Sequence, residues 1–335
     1  MTRNGHRAPA PPRPRVIVTR RLLPEVEARM AELFDLVPNL DDRPMTRVQL
    51  ETAMHDCDVL VPTVTDMIDA AMIAGAGERI AMIASFGAGT DHIDLAAARA
   101  HRILVTNTPG VFTDDTADLT LALIILVSRR FSENARTLRE GRWEGWAPSS
   151  MLGHSLSGKT LGIVGMGRIG QAVAYRARAF GLEIRYHNRH RLPPAVENMV
   201  SARYEPNLDR LVAEADILTL HCPAGPETRH LIDARRLGLM KPGACLVNTS
   251  RGRLVDEDAL VKVLSQERIA AALDVFEREP QVDPRLLAMP NLVALPHLGS
   301  ATYEGRGAAG HKIVTNIRSW VDGHRPPDMV LPDPA

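Results

Sequence analysis

The run Thr160-Leu-Gly-Ile-Val-Gly-Met-Gly-Arg-Ile-Gly170 passes directly into Gln171-Ala-Val-Ala-Tyr-Arg-Ala-Arg-Ala-Phe180. The first half is a short apolar run of strand type and the second has helical composition, so the glycines between them mark a tight strand-to-helix turn. Gly165, Gly167 and Gly170 form G-x-G-x-x-G. The first glycine permits the turn, the second lets a pyrophosphate approach the backbone, and the third lets helix and strand pack closely. Arg168 and Ile169 stand at the helix entrance, where N–H groups without helical partners and the positive end of the helix dipole favour an anion. A dinucleotide site is predicted here. The flanking strand and helix supply the context that three glycines alone lack.

Past the glycines, residues 182–186 read as a second strand that ends in His187-Asn188-Arg189-His190-Arg191. Asn188 occupies the place, roughly 20 residues beyond the turn, where an Asp or Glu would bond the ribose 2′-hydroxyl of NAD. Neutral Asn does not repel a 2′-phosphate, and Arg189 and Arg191 can bind one through charge-assisted hydrogen bonds. NADP is therefore the preferred cofactor, with NAD left open; the same arginines also read as a solvated basic loop. Further strands are expected at 217–220, 244–248, 270–273 and 292–295, alternating with helices at 208–213, 256–264 and 285–288. His221-Cys222-Pro223, Thr249-Ser250-Arg251, Asp274 and His297-Leu298-Gly299-Ser300 all follow strands closely. That is the edge at which parallel sheets bind ligands. Cofactor contacts are assigned to His221, Cys222, Pro223, Thr249, Asp274 and Gly299. Thr116 joins them if its helix starts at the site, or else merely caps that helix.

Toward the N-terminus the pattern alternates apolar runs at 16–18, 59–61, 80–84 and 103–106 with helical stretches at 24–33, 68–74 and 95–100. This is a βαβ rhythm of about five strands before Pro109-Gly110, four of which these runs locate. Gly87 and Gly89 follow the 80–84 strand, where exposed N–H groups can hold a carboxylate; an ordinary turn is the alternative. One long helix is expected from about residue 113 to 138, ending at Gly141. Trp143 and Trp146 follow it in a loop, either as a contact surface or packed beneath it. A last helix is expected over 302–323, with Ile313, Val314, Ile317 and Trp320 as its apolar face.

The chain has 335 residues, 45% of them hydrophobic but only 4% aromatic, so its cores must be built from Ala, Val, Leu and Ile. That length suits two domains. Forty basic residues balance forty acidic ones, which removes any general electrostatic reason to bind nucleic acid or an anionic membrane. Three scattered cysteines, Cys57, Cys222 and Cys245, indicate neither a disulfide framework nor a metal cluster, and fit a reducing, cytoplasmic setting. Residues 1–14, rich in Pro and Arg without an apolar segment, are expected to be a flexible tail. The longest strongly apolar run, 119–127, falls far short of the ~20 residues that span a bilayer.

Arg251, Glu279 and His297 carry complementary chemistry. A guanidinium binds a carboxylate in a bidentate fork, a histidine exchanges protons near neutrality, and a carboxylate beside it fixes its tautomer and favours its charge. These are the parts needed to reduce a 2-oxo acid. Singly, each also reads as an ordinary surface or core residue.

Five ordered motifs now resemble those of a known family: Phe86-Gly-Ala-Gly-Thr-Asp-His-Ile-Asp94, Gly165-Met-Gly-Arg-Ile-Gly170, Asn248-Thr-Ser-Arg-Gly252, Leu273-Asp-Val-Phe276 with Glu279-Pro280, and Pro296-His-Leu-Gly-Ser-Ala-Thr302. Over residues 59–323 the chain is similar to the D-isomer-specific 2-hydroxyacid dehydrogenases, and most to their glyoxylate/hydroxypyruvate reductase branch. The resemblance implies an α/β fold of two doubly wound parallel-sheet domains. A Rossmann NAD(P)-binding domain over 111–297 would be inserted into a flavodoxin-like substrate-binding domain made of 15–110 and 298–335. It implies direct hydride transfer from NAD(P)H to a small 2-oxo acid, with His297 as acid/base, Glu279 orienting it, and Arg251 on the substrate. It also implies substrate contacts at Ala88, Gly89 and Ser300, and a homodimer in which Trp146 reaches the partner's site. Formate dehydrogenases of similar architecture carry Gln where Glu279 stands, which argues against formate. Bulkier 2-oxo acids, and a nucleotide-sensing corepressor of the same fold, are the alternatives.

Overall fold

Every run read as a strand in the sequence forms a parallel strand in the computed structural model, which describes residues 13–330. Up to residue 112 the order is β1 (Arg15–Val18), α1 (Pro24–Leu33), β2 (Asp35–Val37), α2 (Arg47–Asp56), β3 (Val59–Val61), α3 (Ala70–Ala74), β4 (Met82–Ala84), α4 (Leu95–Ala100) and β5 (Leu104–Thr106). Pro24 suits the first turn of α1, where no N–H is needed. Thr46 and Gln49 form a capping box on α2, and Asp69 and Asp94 cap α3 and α4. Ile68, expected inside the third helix, instead bridges to Ile93, because Asp69 caps a helix that starts at Ala70.

The second stretch contains α5 (Thr113–Ser128), α6 (Phe131–Arg139), β6 (Thr160–Val164), α7 (Arg168–Ala177), β7 (Glu183–His187), α8 (Pro194–Val200), β8 (Ala202–Tyr204), α9 (Leu208–Glu214) and β9 (Ile217–Leu220). It continues with α10 (Ala234–Leu239), β10 (Cys245–Asn248), α11 (Glu257–Ser265), β11 (Ala270–Leu273), α12 (Pro284–Leu287) and β12 (Leu292–Ala294), and α13 (Tyr303–Val321) closes the chain. The single long helix expected over 113–138 is in fact two. Arg130 takes a left-handed backbone, φ 52°, which no α-helix continues through.

Two compact units result, one holding residues 13–112 and 302–330 and the other Thr113–Ala301. In the first, the all-parallel order is β2-β1-β3-β4-β5, that of the flavodoxin-like doubly wound sheet. Alternate residues feed opposite faces: Ile17, Leu60 and Ile83 join the core beneath α2, α3 and α4, whereas Val16, Val18, Val59 and Val61 join Val26, Met30, Ile313 and Ile317 of α1 and α13. A side chain at Gly310 would stand 2.5 Å from Val26, so glycine is what lets α13 lie on α1.

The other unit holds seven parallel strands in the order β12-β11-β10-β9-β6-β7-β8. Numbered within the unit this is 7-6-5-4-1-2-3, the Rossmann order with one strand added, and its switch point lies between β6 and β9. Two apolar cores cover its faces. Of the tail expected over 1–14, residues 1–12 lie outside the described residues, as do 331–335 of the expected substrate domain. Arg13 is tied down, its Nη2 donating to the Ala31 carbonyl at 2.7 Å. Among the described residues no helix is long and apolar enough to cross a membrane.

Candidate active site

The glycine turn sits where β6 meets α7, at the switch point. Gly165 has φ 98°, and a Cβ there would lie 2.5 Å from the backbone nitrogen of Cys222; one at Gly170 would lie 2.3 Å from the Gly165 carbonyl oxygen. At Gly167 a Cβ would meet only open space, and Gly167 and Arg168 are exposed. Packing thus demands the outer glycines, while the middle one fronts room for a phosphate at the N-terminus of α7. The residues present fit a dinucleotide. Beside the turn, the N–H of His221 donates to the Val164 carbonyl at 2.8 Å, and its Nε2 lies 3.0 Å from Thr219 Oγ1. Burial lowers the His221 pKa to about 3 and pushes the Cys222 thiol up to about 11, so near neutrality both are uncharged. Pro223 is exposed next to them, and Ile169 packs from α7 onto the core.

The loop after β7 is built around Asn188. Its Oδ1 accepts the N–H of Met166 at 2.7 Å, tying the loop to the glycine turn, while its carbonyl accepts from Tyr204 Oη at 3.0 Å. Arg189 extends into solvent, its side chain 82% exposed and 3.8 Å from Glu227. Arg191 is differently placed. Its guanidinium makes two bonds, at 3.0 and 2.8 Å, to the buried carboxylate of Glu197, which also accepts from Tyr186 Oη at 2.6 Å. Arg191 therefore shapes the loop through Glu197 although its side chain is 62% exposed, while Arg189 is held, among the described residues, only by the longer contact to Glu227.

Arg251, Glu279 and His297 follow β10, β11 and β12, three neighbouring strands, and so share one sheet edge. The Arg251 loop is fixed from beneath: Asn248 Nδ2 donates to the Arg251 carbonyl at 2.8 Å, Ser250 Oγ donates to the Cys222 carbonyl at 2.7 Å, and Arg251 Nη1 donates to the Ser250 carbonyl at 2.8 Å. Glu279 Oε1 accepts the Phe276 N–H at 2.9 Å, and Oε2 lies 2.7 Å from His297 Nδ1. Burial works to raise the Glu279 pKa, but the His297 hydrogen bond and the nearby Arg251 charge win, leaving it below the ordinary carboxylate value. An ionised carboxylate only accepts, so Nδ1 carries the proton and Nε2 is left for other chemistry.

Asp274, expected to contact cofactor, has a holding role as well. Fully buried, it accepts the His297 N–H on its carbonyl at 2.8 Å, and the Leu298 and Gly299 N–H groups on its carboxylate at 2.6 and 2.8 Å. Thr116 and Thr249 likewise hold loops. Thr116 Oγ1 donates to the Gly299 carbonyl at 2.9 Å, and Thr249 Oγ1 is 2.9 Å from Thr120 Oγ1 on α5. Ser300 is half-buried one residue beyond Gly299. In the first unit, Ala88 is exposed and Gly89 half-buried in the loop after β4; Trp146 is 83% exposed. Sequence reasoning missed the part of Gly252. A Cβ there would fall 1.9 Å from the Phe276 carbonyl carbon, so glycine alone lets the Arg251 loop lie against the segment bearing Glu279. Its place directly after Arg251 was the available signal.

Fold and sheet edge together define the class as a dinucleotide-binding α/β oxidoreductase. The sequence profile described as D-isomer specific 2-hydroxyacid dehydrogenase, NAD binding domain, matches residues 121–299. A glyoxylate reductase of Thermococcus litoralis is 42% identical over 327 residues, covering 96% of this chain and 98% of that protein. One from Korarchaeum cryptofilum is 42% identical over 321 residues, covering 95% and 96%. Among solved structures, an NADPH-dependent glyoxylate/hydroxypyruvate reductase of Sinorhizobium meliloti, in complex with NADP and malonate, superposes with a TM-score of 0.83 at 33% identity, covering 95% of this chain and 97% of that one. The chain belongs to the D-isomer-specific 2-hydroxyacid dehydrogenase family. It is an enzyme that interconverts 2-oxo and 2-hydroxy acids with a nicotinamide dinucleotide, NADP or NAD.

Proposed function

We propose that the protein reduces glyoxylate and hydroxypyruvate to the corresponding D-2-hydroxy acid, using NADPH in preference to NADH. The observation that carries this reading is the 2.7 Å contact of Glu279 with His297 on the same sheet edge as Arg251. The nicotinamide, when bound, supplies the hydride that reduces C2 of the oxo acid. His297 Nε2 delivers a proton to the oxygen on C2 as negative charge develops there, while Glu279 holds Nδ1 and offsets the imidazolium charge. Arg251 binds the substrate and stabilises charge on the same oxygen through its planar fork. Gly165, Gly167, Gly170, Arg168 and Ile169 hold the pyrophosphate, and Arg189 takes the 2′-phosphate. Ala88 and Gly89 of the first unit offer N–H groups to the substrate carboxylate, so that unit serves as the substrate domain. The test is a panel of 2-oxo acids assayed with NADPH and with NADH by the near-ultraviolet absorbance of the reduced nicotinamide. Faster turnover of a bulky aryl-substituted oxo acid than of glyoxylate would overturn the substrate assignment, and better use of NADH the cofactor assignment.

The active form is further proposed to be a cytoplasmic homodimer. The three free cysteines accord with a reducing compartment. Helix α6 buries none of its residues, and Leu138, Trp143, Trp146 and Leu152 are each more than half exposed. Exposed apolar side chains this close in sequence accord with a protein contact. Sedimentation equilibrium should give twice the chain mass, and Leu138→Ser with Trp143→Ser should give the monomer. A monomeric wild type at micromolar concentration would remove the dimer and, with it, any part for Trp146 in a partner's site.

A further inference from the structure

The loop after β4 is held from both sides. Toward β3, the Phe86 N–H donates to the Pro62 carbonyl at 2.8 Å, and a side chain at Gly87 would stand 2.7 Å from Val64 Cγ1. Toward β5, the Ser85 N–H donates to the Thr106 carbonyl at 2.9 Å, and the Thr108 N–H donates to the Gly87 carbonyl at 2.9 Å. The next carbonyl along, that of Ala88, accepts from Asn107 Nδ2 at 2.7 Å. Two successive carbonyls thus turn toward the residues that follow β5.

In a trans peptide, the C=O of one residue and the N–H of the next point in opposite directions within one plane. Fixing the Gly87 carbonyl therefore aims the Ala88 N–H away from β5, and fixing the Ala88 carbonyl aims the Gly89 N–H the same way. Among the described residues, neither of these N–H groups is donated to another protein group. The result is a pair of adjacent donors at the carboxyl end of a parallel strand, a concavity suited to an anion. Thr108 makes its clamp with backbone, which almost any residue supplies. Asn107 makes its clamp with a side chain, so the second donor depends on that residue type.

Asn107 is itself fixed from behind. Its N–H donates to the Asp328 carbonyl at 3.3 Å, and the Asp328 carboxylate accepts from Lys312 Nζ at 2.8 Å and Asn316 Nδ2 at 3.2 Å, both on α13.

We propose that Asn107 is a positioning residue for substrate binding: by holding the Ala88 carbonyl it aims the Gly89 N–H at the carboxylate of the 2-oxo acid. This rests on the reading of Ala88 and Gly89 as the carboxylate's donors. Removing the clamp should weaken substrate binding by about the worth of one charge-assisted hydrogen bond, roughly tenfold in KM. The chemistry on the other unit keeps its geometry.

The full-length enzyme is compared with Asn107→Ala, or with Asn107→Ser should the alanine variant fail to fold. The expected result is a KM for glyoxylate raised about tenfold, kcat changed less than twofold, and an unchanged Kd for NADPH. An unchanged KM overturns the proposal, and so does a parallel loss of KM, kcat and NADPH affinity, which would mark general loosening. Hydrogen exchange separates the two layers of the argument. With NADPH and the substrate analogue oxamate bound, the amides of Ala88 and Gly89 should be protected in the wild type and lose that protection in the variant. Unprotected amides in the wild type sink the reading of the loop as carboxylate site. Protection that persists in the variant sinks the role of Asn107 alone.

Discussion

Asp274 sets the backbone of His297. Its carbonyl takes the His297 N–H at 2.8 Å while its carboxylate takes the next two N–H groups, and within that grip His297 adopts φ 56°. A left-handed backbone is uncommon for a residue other than glycine and is strained, so it persists only where its surroundings over-determine it. Burial raises the Asp274 pKa against the pull of the two N–H bonds. Replacing Asp274 with Ala strands two donors at about 1–3 kcal/mol each, so a loss of roughly 2–6 kcal/mol is expected. Urea unfolding should show it as a lower midpoint, and kcat should fall because His297 is no longer held.

His297→Gln should lower kcat by about 10²- to 10⁴-fold with KM for the oxo acid nearly unchanged, since the proton is needed only as the reaction proceeds. Glu279→Gln keeps an acceptor for Nδ1 but removes the charge, and a smaller fall in kcat is expected. Steady-state kinetics at saturating cofactor check both. Unaltered turnover in His297→Gln would remove it from the mechanism.

Cofactor choice should follow the loop after β7. Arg189→Ala should raise the KM for NADPH by roughly 10- to 100-fold, the worth of a charge-assisted bond, and leave that for NADH alone. Asn188→Asp preserves the acceptor for the Met166 N–H and introduces a charge that repels a 2′-phosphate, moving preference toward NADH. The ratio of kcat/KM values for the two cofactors is the readout.

Acid should destabilise the fold through two groups. The Glu279 pKa is lowered on folding, so the pair with His297 contributes stability that is full above the unfolded carboxylate value, about 4.3, and is lost as pH falls through the lower folded value. His221 is lowered to about 3 by burial, so the unfolded chain binds its proton first and stability declines from about pH 6.5 downward. Asp274, raised by burial, acts in the opposite sense: its contribution is full below the unfolded carboxylate value and is lost as pH rises through the folded one. Thermal unfolding of His221→Asn between pH 4 and 7 should be flatter than that of the wild type. An identical slope would remove His221 as a cause.

Much of the architecture was legible because parallel strands buried on both faces are continuous apolar runs, and glycines at their ends stand out. The edge strands β2 and β8 were not located. Asp35, Leu36 and Val37 are exposed or half-buried, and Arg203 and Tyr204 of β8 are little better covered, so neither segment needs the apolar run that betrays an inner strand. The break between α5 and α6 was equally hidden. It depends on one left-handed residue, Arg130, in a stretch whose composition is helical throughout.

Local chemistry decided the rest of what the sequence determined by itself: the dinucleotide turn, the residue types Arg251, Glu279 and His297, and their places after strands. These follow from short-range rules of turn geometry and apolar periodicity, which act within a few residues. Tertiary structure alone decided what those residues do to one another. Glu279 meets His297 because β11 pairs with β12, Arg191 is spent on Glu197, and Asp274 grips the His297 loop across 23 to 25 residues of chain. Contacts of that range depend on strand order and register, which emerge only once both faces of the sheet are packed.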